Sequence, residues 1–316
     1  MADGALGGNE LAHLTVVVTG AAGFLGSALT ERLAASGARV VSIDGAAGVR
    51  SGAGERIGLD ILDALALRSA LPRLLADDAT SAVVIHLAAR GHVGACRDDP
   101  TGAIALNVVG TTNVLEACRE AGVRRVVFPS SALVYRLPAS SPVAEDAPVE
   151  SRSIYAATKL ACEALLQAYA VEYGLSCTVA RLGNVYGRGA AADSVASIII
   201  RQVLAGGPVV VETLSPIRDF IYRDDVVAGL IALATWTGAT GYQLVNLSSG
   251  VPTSIGELAD TAAAVAGVPE KATGRSLGTA PDSVVLSIER MTTATGWTPM
   301  FSLEAGLRAT VAESRR

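Results

Sequence analysis

Aromatic residues are scarce in this 316-residue chain, at 4%, and charged residues make up only 17%. Half of the chain is hydrophobic, so its core has to be assembled from Ala, Val, Leu and Ile. The net charge of -5 lacks the basic excess of a nucleic-acid-binding face. No apolar run reaches the roughly 18 residues of a membrane span. The nearest approach, Ser194–Val211, is broken by Arg201, Gln202 and Gly206-Gly207-Pro208. Residues 1–12 combine Asp3, Glu10 and several glycines without a basic start or an apolar segment. They read as a flexible leader rather than a secretory signal. Cys96, Cys118, Cys162 and Cys177 form no CxxC motif and read as reduced, mostly buried thiols, which points to the cytoplasm. The three histidines, His13, His86 and His92, contain no metal-ligand pair, so no metal is expected.

What the chain does have is alternation. Strand patterns at Leu14–Thr19, Arg39–Ile43, Ala82–His86, Arg125–Phe128 and Ser176–Ala180 alternate with helical patterns at Phe24–Ser36, Asp63–Leu75, Thr101–Ala121 and Ser153–Tyr173. Gly37, Gly122 and Gly174 supply helix stops. Such alternation predicts an α/β fold, a Rossmann-type doubly wound parallel sheet covered on both faces, over residues 13–180. After Arg181 the rhythm loosens. Helical patterns at Ser194–Leu204, Asp224–Thr235, Ser254–Val265 and Ser302–Glu313 suggest a smaller, mostly helical lobe over 181–316, partly interleaved with the first domain through strands such as Tyr242–Leu247.

The run Thr19-Gly20-Ala21-Ala22-Gly23-Phe24-Leu25-Gly26 follows a buried strand and opens a helix, the context a phosphate-binding glycine turn requires. Gly20 allows the turn, Gly23 lets the backbone approach a pyrophosphate, and Gly26 brings helix and sheet close. The helix start offers free N–H groups and partial positive charge. Asp44, 18 residues after Gly26, suits the adenosine ribose hydroxyls and repels a 2′-phosphate, favouring NAD over NADP, though Arg50 lies beyond it. Asp60-Ile61 could flank the adenine, and Asp60 could equally cap the next helix. Leu87-Ala88-Ala89 are small enough for close backbone approach. His86 reads as a core residue.

Tyr155 and Lys159 share one face in the first turns of their helix. A cation beside a phenol of pKa about 10 favours the phenolate. Ser131 follows a strand, at the carboxyl edge of the sheet where ligands bind. The expected division of labour has Tyr155 moving the proton, Lys159 tuning it and holding the nicotinamide ribose, and Ser131 orienting the reacting oxygen. Asp224-Asp225 reads as an N-cap with dipole pairing, and Trp236 and Trp297 as lobe packing.

With these stretches, Val84–Ala89, Asn107-Val108-Val109-Gly110-Thr111, Ser130–Tyr135, Arg181-Leu182-Gly183-Asn184-Val185-Tyr186-Gly187 and Arg218-Asp219-Phe220-Ile221-Tyr222 run in order along the chain. It resembles an extended short-chain dehydrogenase/reductase of the NAD-dependent epimerase/dehydratase group. The resemblance implies a Rossmann domain with a substrate lobe, and a homodimer built on Thr101–Ala121 and Ser153–Tyr173. It also places Phe24, Leu25, Asn107, Leu182 and Val185 around the cofactor, and assigns substrate contacts to Ser131, Asn184 and Arg218. The activity implied is sugar epimerisation through a transient ketone, on a nucleotide-linked sugar. The chain departs from the group in places. Ala132 and Leu133 stand where dehydratases have an acidic pair, which argues against water elimination. Glu212-Thr213-Leu214 and Thr279-Ala280-Pro281-Asp282 replace segments that hold the nucleotide, the second of them without its arginine although Arg275 is near. These changes keep open an NAD(P)-dependent dehydrogenase or ketoreductase acting on a sugar, sugar acid or natural-product carbonyl without a nucleotide. Gly183, often larger in the group, suggests a widened site. A cofactor-sensing protein without turnover is a third reading, opposed by the intact Ser131, Tyr155 and Lys159.

Overall fold

The computed structural model describes residues 11–45, 53–75, 79–137, 142–269, 271–276 and 283–315. Arg50, residues 279–282 and all but the end of the leader lie outside them. Leu11, placed in that leader, is buried and donates its N–H to the Ser36 carbonyl, so packed chain starts by this residue. The chain divides into two compact units. One comprises 1–134, 150–181 and 230–245; the other comprises 135–149, 182–229 and 246–316.

The first unit has the expected architecture. Its elements begin β1 (Thr15–Thr19), α1 (Phe24–Ala35), β2 (Arg39–Asp44), β3 (Glu55–Gly58), α2 (Ala64–Leu75) and β4 (Val83–His86). Next come α3 (Val93–Asp98), α4 (Pro100–Ile104), α5 (Gly110–Ala121), β5 (Arg125–Ser131), α6 (Ile154–Tyr173) and β6 (Ser176–Leu182). A seven-stranded sheet runs β6-β5-β4-β1-β2-β3, with Tyr242–Leu247 beside β6. The pairings of β1 with β2 and β4, of β2 with β3, and of β4 with β5 are parallel. The order reverses between β1 and β4, the place where open sheets of this kind bind ligands. Fully buried β1 and β4 have no polar side to show to water, which explains their unbroken apolar runs.

Thr101–Ala121 is continuously helical but not uniformly α-helical. Between α4 and α5 the chain makes a π-helical turn, Ala105–Val109. The Asn107 carbonyl inside it accepts from the Thr111 hydroxyl at 2.5 Å and the Cys162 thiol at 3.1 Å. Side chains, which periodicity does not register, thus take a carbonyl of the widened turn.

The second unit holds β7 (Asn184–Tyr186), α7 (Val195–Leu204), β8 (Val210–Val211), β9 (Ile217–Tyr222), β11 (Pro252–Ser254), α9 (Ile255–Ala266), β12 (Thr273–Gly274), β13 (Ser283–Val284), α10 (Glu289–Thr295) and α11 (Leu303–Ser314). Two elements, α8 (Arg223–Thr235) and β10 (Tyr242–Leu247), run across the boundary. Strands β11, β9 and β13 form one sheet in that order, and β7 also pairs with β9. Ser194, Ser254 and Ser302 cap α7, α9 and α11 with their hydroxyls, so the expected helices start where a cap signal stands. Asp225 does not cap α8. It is buried and accepts from the Met300 and Phe301 amides at 2.8 and 3.1 Å.

Candidate active site

The glycine turn at the end of β1 is fixed by close approach. Gly20 has φ +70°, and a Cβ there would stand 2.6 Å from the Ala88 nitrogen. A Cβ on Gly26 would overlap the Gly20 carbonyl oxygen. No side chain caps the start of α1 at Gly23, and its first turn carries no acid. Uncapped amides and absent side chains make a cradle suited to a pyrophosphate, so these residues fit a dinucleotide. Asp44, at the end of β2, accepts from the Ala22 amide at 2.8 Å, which sets its carboxylate against the turn. The Leu87 amide bonds the Thr19 carbonyl at 3.0 Å and the Ala88 amide the Thr19 hydroxyl at 3.3 Å, bringing the end of β4 to the same edge. Phe24 and Leu25 are half-buried in the first turn of α1, and Ala89 is half-buried after β4.

Other expected cofactor contacts are placed differently. Asp60 is exposed, and its carboxylate accepts from the Leu62 amide two residues on, a local turn. Ile61 is buried in the main core, where a Cβ on Gly110 would meet it at 2.5 Å. Its carbonyl takes the Asn113 side chain at 2.9 Å. Asn107, 2% exposed, is occupied by internal bonds: its Oδ1 accepts from the Arg90 amide at 2.7 Å, and its Nδ2 donates to Thr158 Oγ1 at 3.0 Å. Ile61 and Asn107 thus face into the protein, whereas Asp60 faces solvent.

Ser131, Tyr155 and Lys159 come together at the ends of β5 and α6. Ser153 caps α6 by accepting from the Ala156 amide at 3.1 Å, which places Tyr155 in the first turn. Tyr155 is 8% exposed and packs with Cys96 and Ala103, and the nearby Ser131 hydroxyl favours its ionised form. Lys159 donates to the Pro129 carbonyl at 2.8 Å, and its Nζ lies 4.5 Å from the Phe128 ring centre and 5.9 Å from that of Tyr155. Burial pulls this amine down to about 8. Burial pushes the Tyr155 phenol up to about 12, with the Ser131 hydroxyl opposing. The expectation that Lys159 would lower the phenol is therefore corrected: desolvation wins over a cation that is bonded to a backbone carbonyl.

A second set of residues adjoins the end of β5, and its central member, Glu163, lies outside every motif read from the sequence. Ser130 donates to Glu163 at 2.5 Å, and Arg181 clamps the same carboxylate at 3.1 and 2.6 Å. All three are buried. Glu163 stands one helical turn after Lys159 and Arg181 near the end of β6, so the signal was a charge inside each of two otherwise buried elements.

Leu182, Asn184, Val185 and Arg218 belong to the second unit. Asn184 pairs in register with Phe220, and Val185 with Ile221. Arg218 sits on β9 opposite Thr253, donating to the Ile217 carbonyl at 2.8 Å. Gly183 does not widen anything: a Cβ there would overlap Ser248 Oγ and lie 2.9 Å from the Asp219 carbonyl oxygen. The four cysteines are free and buried, and no cluster able to hold a metal occurs among the described residues.

The chain is 37% identical to a UDP-glucose 4-epimerase of Mycolicibacterium smegmatis over 94% of its own length and 97% of the relative's. Its structure matches the UDP-glucose 4-epimerase of Thermotoga maritima, solved with UDP-glucose, with a TM-score of 0.83 and 26% identity over 95% of this chain and 98% of that one. MoeE5, solved with UDP-glucuronic acid and NAD, matches with a TM-score of 0.82 and 31% identity over 96% and 99%. The model of the NAD dependent epimerase/dehydratase family matches residues 16–247, and the chain belongs to that family.

Proposed function

We propose that the protein is an NAD-dependent 4-epimerase of a UDP-linked hexose. The observation that carries this reading is the buried Ser131–Tyr155–Lys159 constellation in the same unit as the glycine cradle. The relatives named above act on or bind UDP-glucose or UDP-glucuronic acid, which supports a UDP-linked sugar. Bound NAD supplies a hydride acceptor and donor, consumed by neither direction of the reaction. Tyr155 exchanges a proton with the hydroxyl on the reacting carbon, while Ser131 hydrogen-bonds the same oxygen. Because burial holds the phenol near 12, this exchange gains as pH rises from neutrality. Lys159 also holds the nicotinamide ribose. Gly20, Gly23 and Gly26 take the pyrophosphate, and Asp44 the adenosine ribose. Asn184 contacts the sugar and Arg218 the diphosphate, which suits a guanidinium fork. In this reading 13–180 is mainly the cofactor domain and 181–316 mainly the substrate lobe.

The test is to supply UDP-glucose and NAD and follow the sugar by proton NMR. The expected product is the C4 epimer, without build-up of NADH at 340 nm. One NADH released per sugar consumed would instead make the protein a dehydrogenase. Activity on free sugars alone would remove the nucleotide from the reading.

We further propose a cytoplasmic homodimer. Among the described residues no helix is long and apolar enough to cross a membrane. Ile104, Val109, Val171 and Tyr173 are exposed along the two helical segments expected at the dimer contact. Light scattering should give twice the chain mass, and a monomer at micromolar concentration refutes the contact.

A further inference from the structure

His86 is wholly buried at the end of β4, and the proton transfers described above leave it without a part. Its surroundings determine which nitrogen carries hydrogen. Thr111 gives its only hydroxyl hydrogen to the Asn107 carbonyl at 2.5 Å. It can therefore only accept from His86 Nε2, 2.9 Å away, and Nε2 must be protonated. Thr19 Oγ1 lies 2.6 Å from Nδ1 and itself accepts from the Ala88 amide at 3.3 Å. Its hydrogen is free to point at a bare Nδ1. A doubly protonated ring is disfavoured by burial and by Lys159, which shares the Phe128 ring with it. The bonds then run in one direction: Ala88 amide to Thr19, Thr19 to His86, His86 to Thr111, Thr111 to the Asn107 carbonyl.

The two ends of this chain matter. Thr19 and Ala88 flank Gly20, where a Cβ would strike Ala88. Asn107, in the π-helical turn, bonds the Arg90 backbone and Thr158, next to Lys159. We propose that His86 is a positioning residue which, as the neutral Nε2–H tautomer, ties the glycine turn of the cofactor cradle to the π-helical turn behind Lys159. This rests on the cofactor reading above. It separates the two threonines by role: Thr19 must donate to the ring and Thr111 must accept from it.

Nitrogen-15 NMR of the three histidines, with His86 assigned by loss of its signal in His86→Gln, reads the tautomer directly. The expected result at pH 7 is protonated Nε2 and bare Nδ1; the reverse tautomer or a cationic ring overturns the proposal. Thr111→Val removes the acceptor at nearly constant shape. The relay predicts displaced Ala88 and Gly20 amide signals without cofactor, and NAD binding weaker by about tenfold in calorimetry, with Thr111→Ser restoring both. Unmoved amides overturn the relay, and should Thr111→Val not fold, the wild-type tautomer and Thr111→Ser still decide it. If the wild type ignores NAD, the cofactor reading fails. If the wild type binds NAD and Thr111→Val binds it equally well, only the relay fails.

Discussion

Two glycines, Gly26 in the first unit and Gly183 in the second, show how differently the two units are built. At Gly26 an added Cβ runs into the chain's own backbone, the carbonyl of Gly20. At Gly183 it overlaps a side-chain hydroxyl, Ser248 Oγ, which has no hydrogen-bond partner. The first unit is fixed by main chain that cannot yield. The second is fixed at this point chiefly by one exchangeable side chain, Ser248, with the Asp219 carbonyl oxygen 2.9 Å away behind it. Backbone constraints leave a motif with regular spacing, whereas exchangeable side chains leave none.

The sharpest challenge to this contrast comes from the chemistry of the first unit. Tyr155→Phe should lower kcat by about 10²–10⁴-fold while leaving NAD binding by calorimetry within a factor of three, since proton transfer is worth that much. Equal losses in both would make Tyr155 a structural residue. Next in size, Gly26→Ala should destabilise by about 3 kcal/mol in urea unfolding, at the upper end for overpacking, with no single second substitution relieving it. Gly183→Ala should lose about 1–2 kcal/mol. Much of that loss should return in Gly183→Ala with Ser248→Gly, and a double variant no better than the single breaks the comparison.

A fourth effect depends on pH. His86 has its folded value near 3, below the ordinary 6.5, because it is buried. The unfolded chain therefore takes up the proton first. The stability this residue contributes is complete above pH 6.5 and falls through the interval down to about 3, by about 1.4 kcal/mol per pH unit. Denaturant titrations at pH 6.5 and 5.5 should show it, and His86→Gln should flatten the slope. The smallest effect is expected in the second unit. Arg218→Ala should raise KM for a UDP-sugar by about tenfold, equivalent to about 1.4 kcal/mol, with kcat little changed.

Legibility followed the same line. The glycine turn, the strands β1, β2, β4 and β5, and the Tyr155–Lys159 helix could be read because each obeys a local rule: burial of a run, a turn that only glycine makes, a four-residue spacing. The π turn could not, because Asn107 is held by Thr111, Cys162, Thr158 and Arg90, up to 55 residues away. The Ser130–Glu163–Arg181 cluster joins three elements and has no spacing of its own. Asp225 looked like a helix cap and instead holds Met300 and Phe301, a contact of range 75 and 76. Tyr155 was found, but its ionisation was misjudged, since proximity of a lysine is visible in sequence and desolvation is not.

The bond from the Ala22 amide to Asp44 has a practical consequence. The carboxylate that would choose between the two nicotinamide dinucleotides also serves as a strut of the loop that receives either one. Rewriting preference through Asp44→Ser would slacken that loop before any new phosphate is greeted, so weaker binding of both dinucleotides is the first outcome to look for. A switch of preference would need a replacement that still reaches Ala22.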